Sequence, residues 1–310
     1  MSVVVHSPDA AETAEWRARL AALLPEYTVE PMLEARRPEA VRYAVVWQPG
    51  NGQLARFPGL RAIVSLGAGI DHVLADTALP AGVPIIRTVG RDLTQRMREY
   101  VALHVLRHHR EMPALAAAQA AGRWEQIVPP PATARRVGVM GLGNLGAEAA
   151  RSLAALGFDT AGWARSPREI EGVRCFAGAE GLSPFLARTE ILVCLLPLTP
   201  ETRDILNAEL FARLPRGASL VNAGRGAHLV EDDLLAALAS GQLSHATLDV
   251  FRQEPLPPGH PFWAHPGVTV TPHIASMIDP ETGGRIVAAN IRAFERDGTV
   301  PDLADAARGY

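Results

Sequence analysis

The sequence predicts an α/β protein with parallel sheets, organised as two domains. Three observations carry this. Short apolar, β-branched runs alternate with Ala/Leu-rich helical segments almost throughout, the pattern of strand–helix–strand units. The runs fall into two sets, parted by a long helical stretch and the polar, proline-rich crossing VPPPATARR. A length of 310 residues suggests two domains more readily than one.

The first set of strands is expected at Val3–Val5, Ala44–Trp47, Ala62–Ser65 and Pro84–Thr88. Asp92 to Met112 reads as one long helix, because Leu93, Met97, Val101 and Val105 recur every four residues. ALAAAQAAG (Ala114–Gly122) reads as an alanine-rich helix end. The second set is expected at Val137–Met140, Thr160–Ala164, Ile191–Pro197, Ser219–Gly224, His245–Phe251 and Val268–Ile274. Six strands with helices between them match a full dinucleotide-binding sheet. A final helix near Pro280 to Arg296 contains an adjacent pair, Gly283-Gly284, which helix propensity does not explain. The plan is a middle cofactor domain over 96–275, with 1–95 and 276–310 forming the other domain.

Composition narrows the function. Hydrophobic residues make up 48% and charged residues 20%, an ordinary globular balance. A net charge of −3 favours neither a nucleic acid nor an anionic membrane surface as partner. The N-terminus reads as a strand, not a signal peptide, and no apolar run is long enough to span a bilayer. The two cysteines, Cys175 and Cys194, have no metal-site spacing, and Cys194 sits in an apolar run as a buried thiol. No metal is expected, and the natural location is the cytoplasm.

The first chemical motif is GLGNLG, from Gly141 through Leu142, Gly143, Asn144 and Leu145 to Gly146. It fits G-x-G-x-x-G in the right context, after a strand and before a helix. Gly141 would allow a tight turn, Gly143 a close backbone approach to a pyrophosphate, and Gly146 close helix–strand packing. The helix N-terminus then offers N–H groups and partial positive charge. An acid at the end of the next strand would bind the ribose hydroxyl of NAD. Here the stretch reads GWARSPR, with Ala164 near that position and Arg165, Ser166 and Arg168 after it. Guanidinium forks suit phosphate, so NADPH is the preferred cofactor and NADH remains possible. A solvated basic turn is the bland alternative.

Ligands of open parallel sheets bind beyond the carboxyl ends of the strands. Three such ends carry Arg225, Glu254 and His273. Singly, each has an ordinary explanation: a surface arginine, a loop acid, a buried histidine. Together on a cofactor-binding sheet they suggest a reaction centre.

With these residues in view, NAGRGAHLVEDDLLAAL, LDVFRQEPLP and VTVTPHIAS, with GLGNLG upstream, resemble the D-isomer-specific 2-hydroxyacid dehydrogenases over nearly the whole chain. VVWQPG, GWARSPR and the terminal ARGY look like the A-type glyoxylate/hydroxypyruvate reductases within that family. The resemblance implies two flavodoxin/Rossmann-like domains with the active site in the cleft between them. It implies that Arg225 binds substrate carboxylate and carbonyl, that His273 donates the proton in reduction, and that Glu254 pairs with it. A carboxylate beside an imidazole favours imidazolium. The loop Leu66, Gly67, Ala68, Gly69 would cradle the substrate carboxylate, and Trp47 would wall its pocket, although a strand-end aromatic is as often core. Asp249 would hold the nicotinamide amide, and Leu196, Pro197, Thr202, Asn222 and Ala223 would line the nicotinamide and ribose path.

The family pattern implies a homodimer with the Asp92–Met112 helix near the interface. The expected activity is NADPH-dependent reduction of a small 2-keto acid, glyoxylate or hydroxypyruvate. A bulkier keto acid such as phenylpyruvate is the alternative substrate, and a non-catalytic dinucleotide sensor the alternative class. Many family members carry the acid that GWARSPR lacks, which bears on NAD and not on dinucleotide binding. No added C-terminal regulatory domain like that of some phosphoglycerate dehydrogenases is expected.

Overall fold

The structure, a computed structural model, describes residues 1–305; the terminal ARGY motif lies outside the described residues. In chain order the strands are β1 (Ser2–His6), β2 (Thr28–Pro31), β3 (Val41–Val46), β4 (Ala62–Ser65), β5 (Ile85–Ile86), β6 (Arg136–Met140), β7 (Asp159–Ala164), β8 (Arg174–Ala177), β9 (Ile191–Cys194), β10 (Ala218–Asn222), β11 (Leu243–Leu248) and β12 (Val268–Val270). The helices are α1 (Ala10–Leu23), α2 (Asp71–Leu74), α3 (Arg91–His109), α4 (Met112–Ala120), α5 (Asn144–Ala155), α6 (Gly178–Arg188), α7 (Ala208–Ala212), α8 (Glu231–Ala239) and α9 (Pro280–Asp297). Two compact units result. One holds Met1–Leu93 and the described residues from Met277 onward; the other holds Thr94–Ser276.

The first unit is a five-stranded parallel sheet in the order β2-β1-β3-β4-β5. Its strand β2 was absent from the sequence expectation; an edge strand reading TVEP carries too little apolar pattern to stand out. Helix α1 starts at Asp9, whose carboxylate accepts the N–H groups of Ala11 and Glu12. It lays Trp16 and Leu20, both fully buried, on one face of the sheet. Helix α9 packs against α1, and here the glycine pair finds its reason. A Cβ on Gly283 would lie 2.5 Å from Ile278 and 2.7 Å from the Trp16 ring. One on Gly284 would lie 2.9 Å from the Arg19 stem. The two glycines give up helix propensity for close helix–helix approach.

The second unit is a parallel sheet in the order β12-β11-β10-β9-β6-β7-β8. It has seven strands, not six: β8 is a short outer edge on β7. The chain order reverses between β6 and β9, so their carboxyl ends open a crevice of the kind that binds nucleotides. The single long helix expected over Asp92–Met112 is in fact two. Pro113 has no N–H to donate and crowds the carbonyl four residues back, which favours a break here. The chain breaks at Glu111, which takes a left-handed φ of 54°, and α4 restarts with the proline in its first turn. Leu93, Met97, Val101 and Val105 are all buried, as their spacing requires. The strand expected to reach Ile274 stops at Val270, because Pro272 has no N–H and His273 turns left-handed at φ 54°.

Helix α3 also buries three histidines. Burial, then the Arg107 charge, lowers His104 to about 4. Burial, helped by His245, His104 and Arg107, lowers His108 to about 3. Burial likewise lowers His109.

Two outcomes follow from this packing. Gly283→Ala gains about 1 kcal/mol of helix propensity. It loses about 1–3 kcal/mol to overpacking against Trp16 and Ile278. Its urea midpoint should therefore fall, and a rise would refute the packing account. The histidines stay neutral in the fold while the unfolded chain takes up protons below its ordinary histidine value. Stability is therefore intact above about pH 6.5 and declines as pH falls toward 4 and then 3. His108→Leu should reduce that slope by up to about 1.4 kcal/mol per pH unit; an unchanged slope in urea melts between pH 7.5 and 5 excludes His108 as a contributor.

Candidate active site

The site grows from the carboxyl ends of adjoining strands in the second unit. At the reversal, the glycine turn behaves as its spacing implies. Gly141 has φ +95°, and a Cβ there would lie 2.6 Å from the Leu195 carbonyl oxygen. A Cβ on Gly146 would strike the Gly141 oxygen at 1.8 Å. Gly143 has open space where its Cβ would be, and it is the N-cap of α5. Gly143 and Asn144 are exposed, whereas Leu142 is buried against Gly162 and Leu145 is half-buried. An exposed glycine at a helix N-terminus fits a pyrophosphate. Beyond β7, Ala164 ends the strand and Arg165, Ser166 and Arg168 are all exposed. Arg165 lies within electrostatic reach of Glu201.

Arg225 follows β10, half-buried and extended, with its guanidinium donating to the Gly224 carbonyl at 2.8 Å. Gly224 and Gly226 flank it. They serve the protein's own packing: a Cβ on Gly226 would lie 1.8 Å from the Phe251 carbonyl carbon. The loops after β10 and β11 are thus in direct contact. Asn222 is fully buried and braces the same turn, accepting from Gly224 N–H and donating to the Arg225 carbonyl, both at 3.2 Å. Ala223 and Leu196 are buried, and Thr202 donates to the Pro197 carbonyl at 2.7 Å.

Glu254 and His273 form the chemical pair. His273 Nδ1–H donates to Glu254 Oε2 at 2.7 Å, and the other carboxylate oxygen accepts the Phe251 N–H at 2.9 Å. Their side chains are 31% and 25% exposed, so the pair can reach a ligand. Burial by itself would raise the Glu254 carboxyl. The His273 hydrogen bond and charge, the Phe251 N–H and the Arg225 charge outweigh it and hold the group below its ordinary value.

Asp249 lies just beyond the end of β11. Its side chain is 1% exposed and turned into the His273 loop. Oδ1 accepts from Ile274 N–H at 2.9 Å and Thr271 Oγ1 at 2.6 Å; Oδ2 accepts from Ala275 N–H at 2.9 Å. The Asp249 carbonyl takes the His273 N–H at 2.8 Å. Asp249 is thus a brace for the histidine loop.

In the first unit, Leu66–Gly69 follows β4. The residues that shape this loop, Ser65, His72 and Thr88, escaped the sequence reading. Gln48 N–H donates to His72 Nδ1 at 3.1 Å, so Nε2–H donates to Ser65 Oγ at 2.9 Å, which donates to the Gly69 carbonyl at 2.8 Å. Thr88 holds the Ser65 carbonyl through Oγ1 and the Gly67 carbonyl through N–H. Trp47 is half-buried, tilted against His72 with ring centroids 4.3 Å apart, and its ring lies against Gly67. A Ser and a His seven residues apart give no local pattern to find.

The fold and this constellation define a dinucleotide-dependent oxidoreductase, and the chain belongs to the D-isomer-specific 2-hydroxyacid dehydrogenases: the family's NAD-binding domain matches residues 102–275. Glyoxylate/hydroxypyruvate reductase A of Serratia proteamaculans is 44% identical over 301 residues, 96% of each chain. A D-isomer specific 2-hydroxyacid dehydrogenase from Xanthobacter autotrophicus, solved in complex with NADPH and MES, is 46% identical with a TM-score of 0.93 over 100% of this chain and 99% of that one. An NADPH-dependent glyoxylate/hydroxypyruvate reductase from Sinorhizobium meliloti, solved with NADP and sulfate, is 42% identical with a TM-score of 0.93 over the whole of both chains.

Asp249→Ala should cost about 3 kcal/mol or more, since it strands two backbone N–H groups and the Thr271 hydroxyl. Urea unfolding measures this; a loss below about 1 kcal/mol contradicts the brace.

Proposed function

We propose that the protein reduces small 2-keto acids, glyoxylate and hydroxypyruvate foremost, with NADPH as reductant. The observation that carries the chemistry is the 2.7 Å His273–Glu254 pair, whose acid is also under the charge of Arg225. Reduction adds a hydride to the carbonyl carbon and a proton to its oxygen. Reduced nicotinamide, when bound, supplies the hydride. His273 gives the proton from Nε2, because Nδ1–H is committed to Glu254. Glu254 fixes the ring's orientation and offsets its charge until the proton leaves. Arg225 holds the substrate carboxylate and stabilises the oxygen as negative charge develops on it. Leu66–Gly69 receive the carboxylate on backbone N–H groups, with Trp47 as a wall. The Gly141–Gly146 turn holds the pyrophosphate, and Arg165, Ser166 and Arg168 take the 2′-phosphate. Leu196, Pro197, Thr202, Asn222 and Ala223 shape the nicotinamide side.

A cytoplasmic homodimer belongs to the same reading. Leu103, Leu106 and Met112 of the α3–α4 region are exposed, and Trp124 and Val128 beyond it are 93% and 89% exposed, which suits a surface covered by a second copy.

Purified protein mixed with glyoxylate, hydroxypyruvate or phenylpyruvate, each with NADPH or NADH, tests the reading through loss of reduced-cofactor absorbance. Turnover should be most efficient with the two small acids and NADPH. No turnover with any pair overturns it. Arg165→Ala should weaken NADPH about 10–100-fold, the loss of one charge-assisted hydrogen bond, and leave NADH nearly unchanged. Ala164→Asp should move preference toward NADH. If neither shifts the ratio, the arginines do not meet the phosphate.

A further inference from the structure

The Arg225 loop contains a buried polar group that the chemistry above leaves unused. His228 has no exposed surface. Its Nδ1 accepts the Arg225 N–H at 3.1 Å and lies 3.9 Å from the Cys194 thiol. A backbone N–H can only donate, so Nδ1 carries no hydrogen and Nε2 carries it. Nε2–H then donates to the Pro197 carbonyl at 3.2 Å. One neutral ring in one tautomer therefore joins the loop after β10 to the loop after β9.

We propose that His228 is a positioning residue, which fixes the Arg225 main chain against the Pro197 loop and so sets the reach of the arginine toward substrate. The proposal rests on the assignment of Arg225 to the substrate carboxylate. Its support is geometric. Both main-chain polar groups of Arg225 are held by buried side chains: the N–H by His228 and the carbonyl by Asn222. The surrounding sequence makes room for the ring, since a Cβ on Gly224 would lie 3.0 Å from Nδ1 and 3.1 Å from Cε1. The two loops are already zipped further along, where Leu206 N–H donates to the His228 carbonyl at 2.8 Å and Asp204 N–H to the Ala227 carbonyl at 3.0 Å. The ring closes the end nearest the chemistry. A guanidinium at the end of a long stem magnifies any swing of its backbone, and small misplacements of a substrate-holding group cost large factors in rate.

Replacements separate this role from plain packing. Asn keeps an acceptor near the Nδ1 position, whereas Gln places its donor near Nε2 and gives Arg225 N–H nothing. Phe keeps the ring and removes both bonds. His228→Gln and His228→Phe should raise the keto-acid KM about tenfold or more, while His228→Asn stays within about threefold of the parent. Hydrogen–deuterium exchange over Gly224–Leu229, measured with neither cofactor nor substrate, should speed up in the Gln and Phe variants and stay near the parent rate in Asn. If the Phe variant does not fold, the Asn–Gln pair decides. Equal behaviour of Asn and Gln, Gln closer to the parent than Asn, or loss of folding in both overturns the proposal and leaves His228 a core residue. A parent protein inert toward every keto acid defeats the functional reading instead, and the exchange data still decide the grip on Arg225.

Discussion

The carboxylate of Asp249 is the interaction on which the rest of the reactive end depends. The His273 imidazole must stand at a strand end, partly exposed, yet in one position. His273 does so in a left-handed backbone, a conformation costing a side chain roughly 1–2 kcal/mol. It persists because donors on either side of it converge on one buried acid: Thr271 before it, Ile274 and Ala275 after it. The Thr271 hydrogen is spent on Asp249, so the Tyr100 hydroxyl, 2.7 Å away, must donate to Thr271. The chain Tyr100–Thr271–Asp249 ties the histidine loop to helix α3. Glu254 then needs only to orient the ring, which it does with one oxygen while the other grips the Phe251 N–H.

The same logic governs the neighbouring loop. Arg225 carries a permanent charge and a flexible stem, so its usefulness depends on where its backbone is held. Gly224 and Gly226 bracket it because a side chain at either would collide with His228 or with the Phe251 main chain. That contact sets the Arg225 loop against the loop that leads to Glu254, so neither can shift independently. Rigidity at the reactive end is therefore collective. It comes from buried polar side chains that touch backbone, on residues one or two steps from the groups that do the chemistry.

This division explains what the sequence made legible. Arg225, Glu254 and His273 stand out because charged chemistry at successive strand ends is a local pattern, as is the glycine turn between strand and helix. The braces do not stand out. Asp249 reads as a strand-end acid that would hold a ligand amide, and only the long-range closure of the Thr271–Ala275 loop onto it shows that its oxygens also brace backbone. His228 reads as one more loop residue until Pro197, 31 positions earlier, is brought to its ring. The glycine pair of α9 was opaque for the same reason: Trp16 and Arg19 lie some 260 positions away and meet it only in the packed helices. The break of α3 is different. Pro113 was a local signal, and a continuous apolar period across Leu93–Val105 masked it. The edge strands β2 and β8 are short and half-exposed, where pattern is weakest.

The stretch after β7 stands apart from the braced end. Arg165, Ser166 and Arg168 are exposed on a loop that contributes little to the core, and Ala164 is only half-buried. Arg165 lies within electrostatic reach of Glu201, and a substitution on this exposed loop leaves the sheet alone. A change of charge on such a surface costs little stability, unlike one in a buried network. On the proposed reading, an acid at Ala164 would repel a phosphate and accept from a ribose hydroxyl, and the arginines would do the reverse. The reactive end has no such freedom. Removing a brace there strands buried donors, so the fold and the position of the reacting groups are lost together. On the proposed reading, preference between the two nicotinamide cofactors is therefore the adjustable property of this scaffold, and the His273–Glu254 geometry is the fixed one.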